Sequence, residues 1–177
     1  MQPKLILNET TFNITLTRIA HQIIENHYPF TNTVMIGVQA KGVYFATQLH
    51  KTISQILGTT TIHLGALDAT FYRDDFRKTN AHLVPHTTTI DFEIENKNVL
   101  LIDDVLFTGR TIRAAMDALL DYGRPHKIEL VTMVDRRYQR DLPIEANYVG
   151  ITIDSTPQQN VAVTWATNGE KNEIYLT

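Results

Sequence analysis

The stretch that decides the fold is residues 99–111, which read Val-Leu-Leu-Ile-Asp-Asp-Val-Leu-Phe-Thr-Gly-Arg-Thr. Its apolar run, Val99–Ile102, predicts a β-strand that is buried on both faces. The following residues, 111–122, have apolar side chains at helical spacing and end before Gly123, so they predict a helix. A buried strand that leads through a short polar turn into a helix is typical of a parallel α/β sheet.

Two adjacent carboxylates, Asp103 and Asp104, stand at the predicted end of this strand. Adjacent strand residues point to opposite sides, so the two side chains cannot both face the core. Such a pair suits the hydroxyl groups of a ribose, or a hard cation bound through water. The next segment, Thr108–Thr111, combines hydroxyls, a glycine and the N–H groups of a helix start, which form a cradle for phosphate. Taken separately, the two halves could also be solvated loop acids and an ordinary helix N-cap; taken together, they describe a site for ribose 5-phosphate.

Predicted helices and strands alternate along the rest of the chain, which favours a right-handed, mostly parallel sheet. Ligands bind such sheets at the carboxyl ends of the strands, and this rule selects the turns after Val38 and after Ile102. The predicted elements are helices at 12–27 and 43–56, a long loop or extended hairpin at 71–91, and strands at 34–38, 60–67, 127–134, 148–151, 161–165 and 174–176.

The composition is that of an ordinary globular protein. The chain has 177 residues, of which 43% are hydrophobic and 20% charged, so we expect one compact domain and exclude a disordered chain. The chain has no cysteine, which excludes disulfides and thiolate metal sites. The sequence shows no run long enough to span a membrane and no secretory signal, so we expect a cytoplasmic location. The formal net charge of −3 means that any RNA contact needs a local basic patch.

The apolar strand, the Asp-Asp pair and the Thr-Gly-x-Thr sequence together match the phosphoribosyl diphosphate (PRPP) signature of type I phosphoribosyltransferases. Within these enzymes, the chain resembles the PyrR family, the pyrimidine operon attenuation proteins. The stretches that carry this resemblance are 16–25, 71–75, 99–125 and 141–150. The resemblance implies an α/β type I phosphoribosyltransferase fold, with a mostly parallel sheet flanked by helices. It also implies a single domain, 1–177, with a small C-terminal hood formed mainly by residues 136–177.

The resemblance also implies an activity. PyrR proteins are uracil phosphoribosyltransferases, which make UMP and diphosphate from uracil and PRPP with Mg²⁺, and they attenuate transcription by binding the pyr mRNA leader together with UMP. The implied ligands are therefore PRPP, uracil, UMP and RNA, and the implied assembly is a homodimer or a larger homo-oligomer, with no membrane partner. Two alternatives stay open: an enzyme that has lost RNA binding, and a purine phosphoribosyltransferase with a different base pocket.

Catalytic roles follow from the resemblance for Asp103, Asp104, Arg73 and Lys41. The two aspartates bind the ribose hydroxyls and contact the metal indirectly, through PRPP or water. Lys41 stands where the family has an arginine, and a lysine makes no bidentate contact with phosphate. The pyrophosphate loop comprises Ala40, Lys41 and Gly42. The PRPP-binding residues comprise Asp103, Asp104, Val105, Leu106, Phe107, Thr108, Gly109, Arg110 and Thr111.

Most of the candidates for binding the base and the RNA lie in the second half of the chain. The base-binding candidates are Val134, Asp135, Val149, Gly150 and Ile151. The RNA candidates are Arg18, Arg136, Arg137 and Arg140. Tyr138 adds a stacking partner for an RNA base. The alternative interpretation is that these arginines form ordinary surface ion pairs with nearby aspartates such as Asp135 and Asp141.

Overall fold

The computed structural model of the chain describes residues 3–59, 61–74, 85–166 and 171–177. Its strands are β1 (Lys4–Leu7), β2 (Thr33–Val38), β3 (Leu64–Leu67), β4 (Asn98–Leu106), β5 (Lys127–Arg137), β6 (Tyr148–Asp154), β7 (Val161–Thr164) and β8 (Glu173–Leu176). Its helices are α1 (Glu9–His27), α2 (Lys41–Leu57) and α3 (Arg110–Leu119), with short 3-10 turns at Thr70–Tyr72 and Leu120–Tyr122. Among the helices described, none has the length and apolar character needed to cross a membrane.

A five-stranded parallel sheet forms the centre of the protein, in the order β3-β2-β4-β5-β6. Its middle strand, β4, contains the apolar run Val99–Ile102, which we predicted to be buried on both faces. Leu100 and Ile102 pack into the core under α1 and α2. Val99 and Leu101 pack into the core under α3 on the other face. The sheet is thus flanked by helices on both faces, and the predicted α/β fold class is confirmed.

The central strand continues further than its apolar run suggests. We predicted its end at Ile102, but β4 continues through both aspartates to Leu106. The extension is possible because β5 runs beside it, with Asp103 opposite Thr132 and Leu106 opposite Asp135. On the other side, the pairing of β2 with β4 stops at Ile102. The carboxyl end of β4 therefore projects beyond β2, and both aspartates lie on this projecting part.

Other boundaries also differ from the sequence prediction, for example those of α1 and β3. α1 begins at Glu9 rather than at residue 12, because the Asn8 side chain accepts a hydrogen bond from the Thr11 amide at 3.0 Å and caps the helix there. β3 is shorter than the predicted strand 60–67 because its pairing with β2 begins only at Leu64. Of the loop predicted at 71–91, residues 75–84 lie outside the described part of the chain.

A small antiparallel sheet, in the order β1-β8-β7, joins the two ends of the chain. β1 was not predicted, because four residues carry too little periodicity to show a strand. Trp165, just after β7, fixes this sheet to the helices by lying edge-on to Phe12 and stacking on Phe45, with centroid distances of 5.4 and 5.7 Å. Of the segment assigned to the hood, β6 belongs to the large sheet and β7 and β8 belong to the small one.

Candidate active site

Asp103 and Asp104 are both enclosed at the carboxyl end of β4, with 8% and 9% of their surface exposed. We expected that the two could not both face the interior, and in this respect the prediction was wrong. For Asp103, the physical reason is that a helix covers its side of the sheet at this point. The start of α2 packs against β4 so closely that a methyl group on Gly42 would lie 2.6 Å from the Ile102 carbonyl oxygen and 3.1 Å from Asp103 Oδ1.

The enclosure changes the proton affinity of both carboxylates. Burial raises the pKa of Asp103 to about 8, and the neighbouring charge of Asp104 adds to the increase. The Asp104 amide, which donates to Asp103 Oδ1 at 3.0 Å, and the charge of Arg73 lower it. Burial also raises the pKa of Asp104, against the opposing charge of Lys41. A pair of this kind gains stability from any ligand that brings hydroxyl donors or positive charge.

The segment between β4 and α3, which we predicted to bind phosphate, is a tight turn that leads directly into the helix, and we call its residues Thr108–Thr111 the cradle. Gly109 has a left-handed backbone with φ of 88°, which favours glycine, and the helix begins at the next residue. Thr108 Oγ1 accepts from the Arg110 amide at 3.4 Å. The carbonyl oxygen of Thr108 accepts from the amides of Asp141 and Leu142 at 3.0 and 3.2 Å. The cradle is therefore held by a segment that is distant in sequence.

A cavity of about 310 Å³ connects the cradle to Asp103. Its lining residues are Arg73, Asp103, Val105, Leu106, Phe107, Thr108, Gly109, Arg110, Thr111, Ile112 and Asp141. The structure thus brings Arg73 to the same cavity as the signature residues, although it lies thirty-eight positions before Thr111 in the chain. Asp104 and Lys41 do not line this cavity but lie close enough to each other for Lys41 to affect the pKa of Asp104.

Arg73 and Arg110 place two positive charges at this cavity. Arg73 Nη1 donates to Thr111 Oγ1 at 3.1 Å, so its guanidinium lies at the phosphate cradle. Arg110 pairs with Asp74 at 2.6 Å and with Asp141 at 2.9 Å. From the sequence we expected Asp141 only as a partner for arginines, and its place in the cavity wall was not predicted. A clue was the inclusion of Asp141 in the stretch 141–150 that carries the family resemblance.

The pyrophosphate-loop residues lie where β2 passes into α2. Ala40 precedes the helix without a side-chain cap, and Lys41 is the first helical residue. Gly42 is buried, and its missing side chain allows α2 to approach Asp103. The structure therefore brings this loop to the same end of the sheet as the aspartates, as the rule for parallel sheets requires.

The base-binding candidates are more scattered. Val134 and Ile151 are partners in the β5–β6 ladder. The carbonyl oxygens of Val149 and Gly150 accept hydrogen bonds from Arg18 of α1. A methyl group on Gly150 would lie 2.4 Å from the Met133 carbonyl oxygen, so close packing accounts for this glycine. These four residues are absent from the lining of the cavity beside Asp103, because their strands are occupied with pairing inside the sheet.

Asp135, the fifth base candidate, lies at the edge of a second and more open cavity of about 500 Å³. Its carboxylate forms an ion pair with Arg140, which also donates to the Phe107 carbonyl oxygen. This arrangement connects the end of β5 to the residue that precedes the phosphate cradle. Tyr138 and Arg137 lie in the wall of the same second cavity.

The four RNA candidates differ in their surroundings. Arg136 is 4% exposed and donates to Ser155 Oγ at 2.9 Å, so it is not available to RNA at the surface; burial between β5 and the segment after β6 is the reason. Arg137 is exposed and pairs with Asp154 at 2.7 Å. Arg18 binds the β6 carbonyls and Arg140 binds Asp135, as described above. Sequence position alone did not distinguish the buried arginine from the exposed one.

Comparison with known proteins supplies the family. A family model described as "Phosphoribosyl transferase domain" matches residues 4–168. The chain is 48% identical over 160 residues to the bifunctional protein PyrR of Haemophilus ducreyi, covering 90% of this chain and 88% of that protein. It is 42% identical over 171 residues to the bifunctional protein PyrR of a Geobacter species, covering 97% of this chain and 96% of that protein.

A solved structure shows the same fold at much lower sequence identity. The hypoxanthine phosphoribosyl transferase of Trypanosoma cruzi matches with a TM-score of 0.74 and 18% identity, over 97% of this chain and 89% of that one. At this identity the match is evidence for the fold alone. The matches to PyrR proteins confirm the predicted resemblance over nearly the full chain. This chain therefore belongs to the phosphoribosyltransferase family and, within it, to the PyrR group of bifunctional proteins.

Proposed function

We propose that this protein makes UMP and diphosphate from uracil and PRPP, and that it regulates pyr mRNA in a UMP-dependent manner. The observation that carries the enzymatic part is the single cavity shared by the Asp103 carboxylate and the Thr108–Thr111 cradle. The cradle suits a phosphate and the carboxylate suits hydroxyl groups, so the cavity fits the two ends of a ribose 5-phosphate.

The reaction requires no nucleophile from the protein. N1 of uracil forms a bond to C1 of the ribose, the bond from C1 to the diphosphate oxygen breaks, and the N1 proton is released. Catalysis then depends on positioning the reactants and on neutralising the leaving diphosphate. In our proposal Asp103 and Asp104 accept hydrogen bonds from the ribose hydroxyls, and Lys41 supplies positive charge to the leaving group. Arg73, through its contact with Thr111, adds positive charge beside the 5-phosphate.

Mg²⁺ fits this site as a partner of PRPP rather than as an ion held by the protein alone. The described residues contain no group of three or more His, Cys, Asp or Glu side chains that could hold a metal. Asp103 and Asp104 are hard oxygen donors, and Mg²⁺ is usually bound by one or two carboxylates together with substrate phosphates and water. When bound, the ion would offset negative charge on the diphosphate.

The proposed base is uracil, and the alternative is a purine. The relatives that share nearly half of the sequence are PyrR proteins, whereas the hypoxanthine enzyme shares only the fold. The test is to supply PRPP with uracil, hypoxanthine or guanine and to measure nucleotide formation. We expect UMP from uracil and no appreciable turnover of the purines. Preferential use of a purine would overturn the proposal and would favour the alternative enzyme.

For the RNA, we propose the surface formed by Arg137 and Tyr138. Tyr138 is 80% exposed, and the Arg137 guanidinium lies 5.6 Å from its ring centroid. An exposed aromatic ring beside a cation can stack on an unpaired base while the cation faces the phosphate backbone. The proposal also includes a cytoplasmic location, a homodimer or larger homo-oligomer, and a single domain, 1–177, with a hood formed mainly by residues 136–177.

Titration with the pyr leader RNA tests the regulatory part. Binding is measured with and without UMP at a fixed salt concentration, because phosphate contacts make affinity depend on salt. A scrambled RNA of equal length is the control. We expect tight binding only with the pyr sequence and UMP together. Equal affinity for both RNAs would refute the regulatory part and leave the enzymatic part standing.

A further inference from the structure

Phe107 is an aromatic residue in a place where the chemistry of phosphate and ribose does not require one. It lies between the last residue of β4 and the phosphate cradle, and it lines the same cavity as Asp103. It is 36% exposed, whereas its neighbour Leu106 is 1% exposed. An apolar ring that stays partly exposed in a polar cavity offers contact area that neither a phosphate nor a sugar hydroxyl can use.

The ring is held in place by Arg136. The guanidinium carbon of Arg136 lies over the ring, 3.9 Å from its centroid, and covers one face. Arg136 is itself fixed, because its Nε donates to Ser155 Oγ at 2.9 Å and its Nη2 donates to the Gln159 carbonyl oxygen at 2.8 Å.

The backbone of Phe107 is fixed as well. Its carbonyl oxygen accepts a hydrogen bond from Arg140, and Arg140 is tied to the carboxylate of Asp135 at the end of β5. Two arginines thus hold the residue, one at the ring and one at the main chain. Such support from both sides favours a role in binding, because an incidental surface ring gains nothing from being held in one orientation.

We propose that Phe107 is the platform on which the nucleobase of UMP stacks, and that Arg136 is a positioning residue that keeps the ring in place. The assignment rests on the proposed function, since it says where the base lies in that reaction. The base is joined to C1 of the ribose, so it must lie next to a sugar held between Asp103 and Thr108–Thr111. Phe107 lies between these two groups in the chain and shares their cavity.

This assignment also explains how the base can bind in the cavity although most of the predicted base-binding residues do not line it. Val134, Val149, Gly150 and Ile151 do not line the cavity, and Arg18 occupies the carbonyl oxygens of Val149 and Gly150. A stacking platform needs none of those backbone groups, because every base has a flat face that an aromatic ring can cover.

Affinities for two ligands distinguish contacts with the base from contacts with the sugar and the phosphate. UMP and ribose 5-phosphate share the sugar and the phosphate, but only UMP has a base. We expect Phe107→Leu to weaken UMP about tenfold, within the range for loss of one base–aromatic stack, and to change the affinity for ribose 5-phosphate less than about twofold. Phe107→Tyr keeps the ring and is expected to recover most of the lost UMP affinity. Calorimetric titration measures both affinities on the full chain.

A matched control removes an exposed ring elsewhere. Tyr28 is 71% exposed and follows the last residue of α1, and it is absent from the cavity lining. Tyr28→Leu is expected to leave the ratio of the two affinities unchanged.

For the positioning residue, Arg136→Met keeps a long side chain and removes its hydrogen bonds. We expect it to lower the UMP affinity more than the ribose 5-phosphate affinity, whereas a merely structural role would lower both together with the melting temperature.

Ser155→Ala is a milder variant for the case in which Arg136→Met does not fold. It removes one of the hydrogen bonds that fix Arg136 and is expected to shift the ratio in the same direction by a smaller factor. The assignment of Phe107 is overturned if Phe107→Leu leaves the ratio unchanged or weakens both ligands equally, while the wild type still makes UMP from uracil. Failure of the wild type to make UMP refutes the proposed function instead.

Discussion

The two ends of the parallel strands both bury charged groups, but they do so in different ways. At the amino end, Glu129 of β5 is 6% exposed and has a partner for each carboxylate oxygen. His27 Nε2 lies 2.8 Å from one oxygen and Lys127 Nζ lies 2.8 Å from the other. His27 in turn contacts Thr33 Oγ1 at 3.1 Å and the Tyr148 hydroxyl at 3.2 Å. This network is complete without a ligand.

At the carboxyl end, Asp103 and Asp104 are buried side by side, and like charges repel. Burial raises the pKa of Asp103 to about 8, although the Asp104 amide donates to its carboxylate. At the amino end, burial lowers the pKa of His27 while Glu129 partly opposes this. The difference teaches that a buried carboxylate with partners at both oxygens stabilises the fold by itself, whereas two adjacent buried carboxyl groups gain from a bound ligand, as the proposed function requires. Natural active sites often give up stability in this way.

The largest expected effect is the loss of turnover when Asp103, at the carboxyl end of the parallel strands, is replaced. We expect Asp103→Asn to reduce UMP formation at least about 100-fold, because the variant loses a carboxyl group that binds the ribose hydroxyl. We expect it to unfold at the same temperature as the wild type or higher, since a neutral amide replaces a buried carboxyl group that is costly to ionise. Steady-state kinetics and thermal unfolding measure the two effects.

Asp117→Asn is the matched control for this experiment, because Asp117 is a half-exposed carboxylate on α3 that pairs with Arg113 along the helix surface. The same chemical change there is expected to leave turnover unaltered. A clear loss of stability in Asp103→Asn would contradict the comparison, since it would show that the carboxylate pair supports the fold.

The second largest expected effect concerns the buried network around Glu129 at the amino end of the parallel strands. We expect Glu129→Gln to lower the free energy of unfolding by about 2 kcal/mol, because it breaks a buried network. Turnover of the folded protein is expected to stay at the wild-type level, since the network is at the opposite end of the strands from the cavity. Lys127→Gln is the control: Lys127 is exposed, so we expect a loss below about 1 kcal/mol. Urea unfolding measures stability, and a large loss of turnover in Glu129→Gln would remove the distinction between the two ends.

A smaller effect lies in the pH dependence of stability. The pKa of Asp103 is raised from the ordinary aspartate value of 3.8 to about 8 in the folded chain, so the folded state binds more protons between these values. The stability that this group contributes is fully present below pH 3.8 and is lost as the pH rises through about 8. We expect the free energy of unfolding to fall more steeply with rising pH in the wild type than in Asp103→Asn. Identical pH profiles would show that the aspartate has the same proton affinity in both states.

The smallest effect concerns charges that are paired but exposed. Asp154 pairs with Arg137 at 2.7 Å at the surface. We expect Asp154→Asn to change the free energy of unfolding by less than about 0.5 kcal/mol, as is usual for exposed pairs. If Arg137 contacts RNA, removing this negative neighbour should strengthen UMP-dependent RNA binding. Unfolding and RNA titration of the same variant measure both, and weaker RNA binding would count against the proposed RNA surface.

Much of the fold and of the cavity could be predicted because the signals are local. Residues 99–111 carry a strand, two carboxylates and a helix start in one continuous stretch, and their order in the chain is also their order in space. The prediction of the end of β4 at Ile102 failed because polar residues at a strand end resemble a turn. The pairing with β5 that extends the strand to Leu106 cannot be read from those residues alone.

The sequence by itself determined the parallel α/β sheet, the turn of Thr108–Thr111 at a helix start and the two adjacent carboxyl groups, since periodicity and adjacent residues suffice for these features. Only the tertiary structure decided which polar groups are buried and which residues from distant segments meet. It brought Arg73 to Thr111, enclosed both aspartates, and buried Arg136 against Phe107 while leaving Arg137 exposed. Burial and contact between distant segments depend on how the elements pack, and no local pattern of residues records that packing.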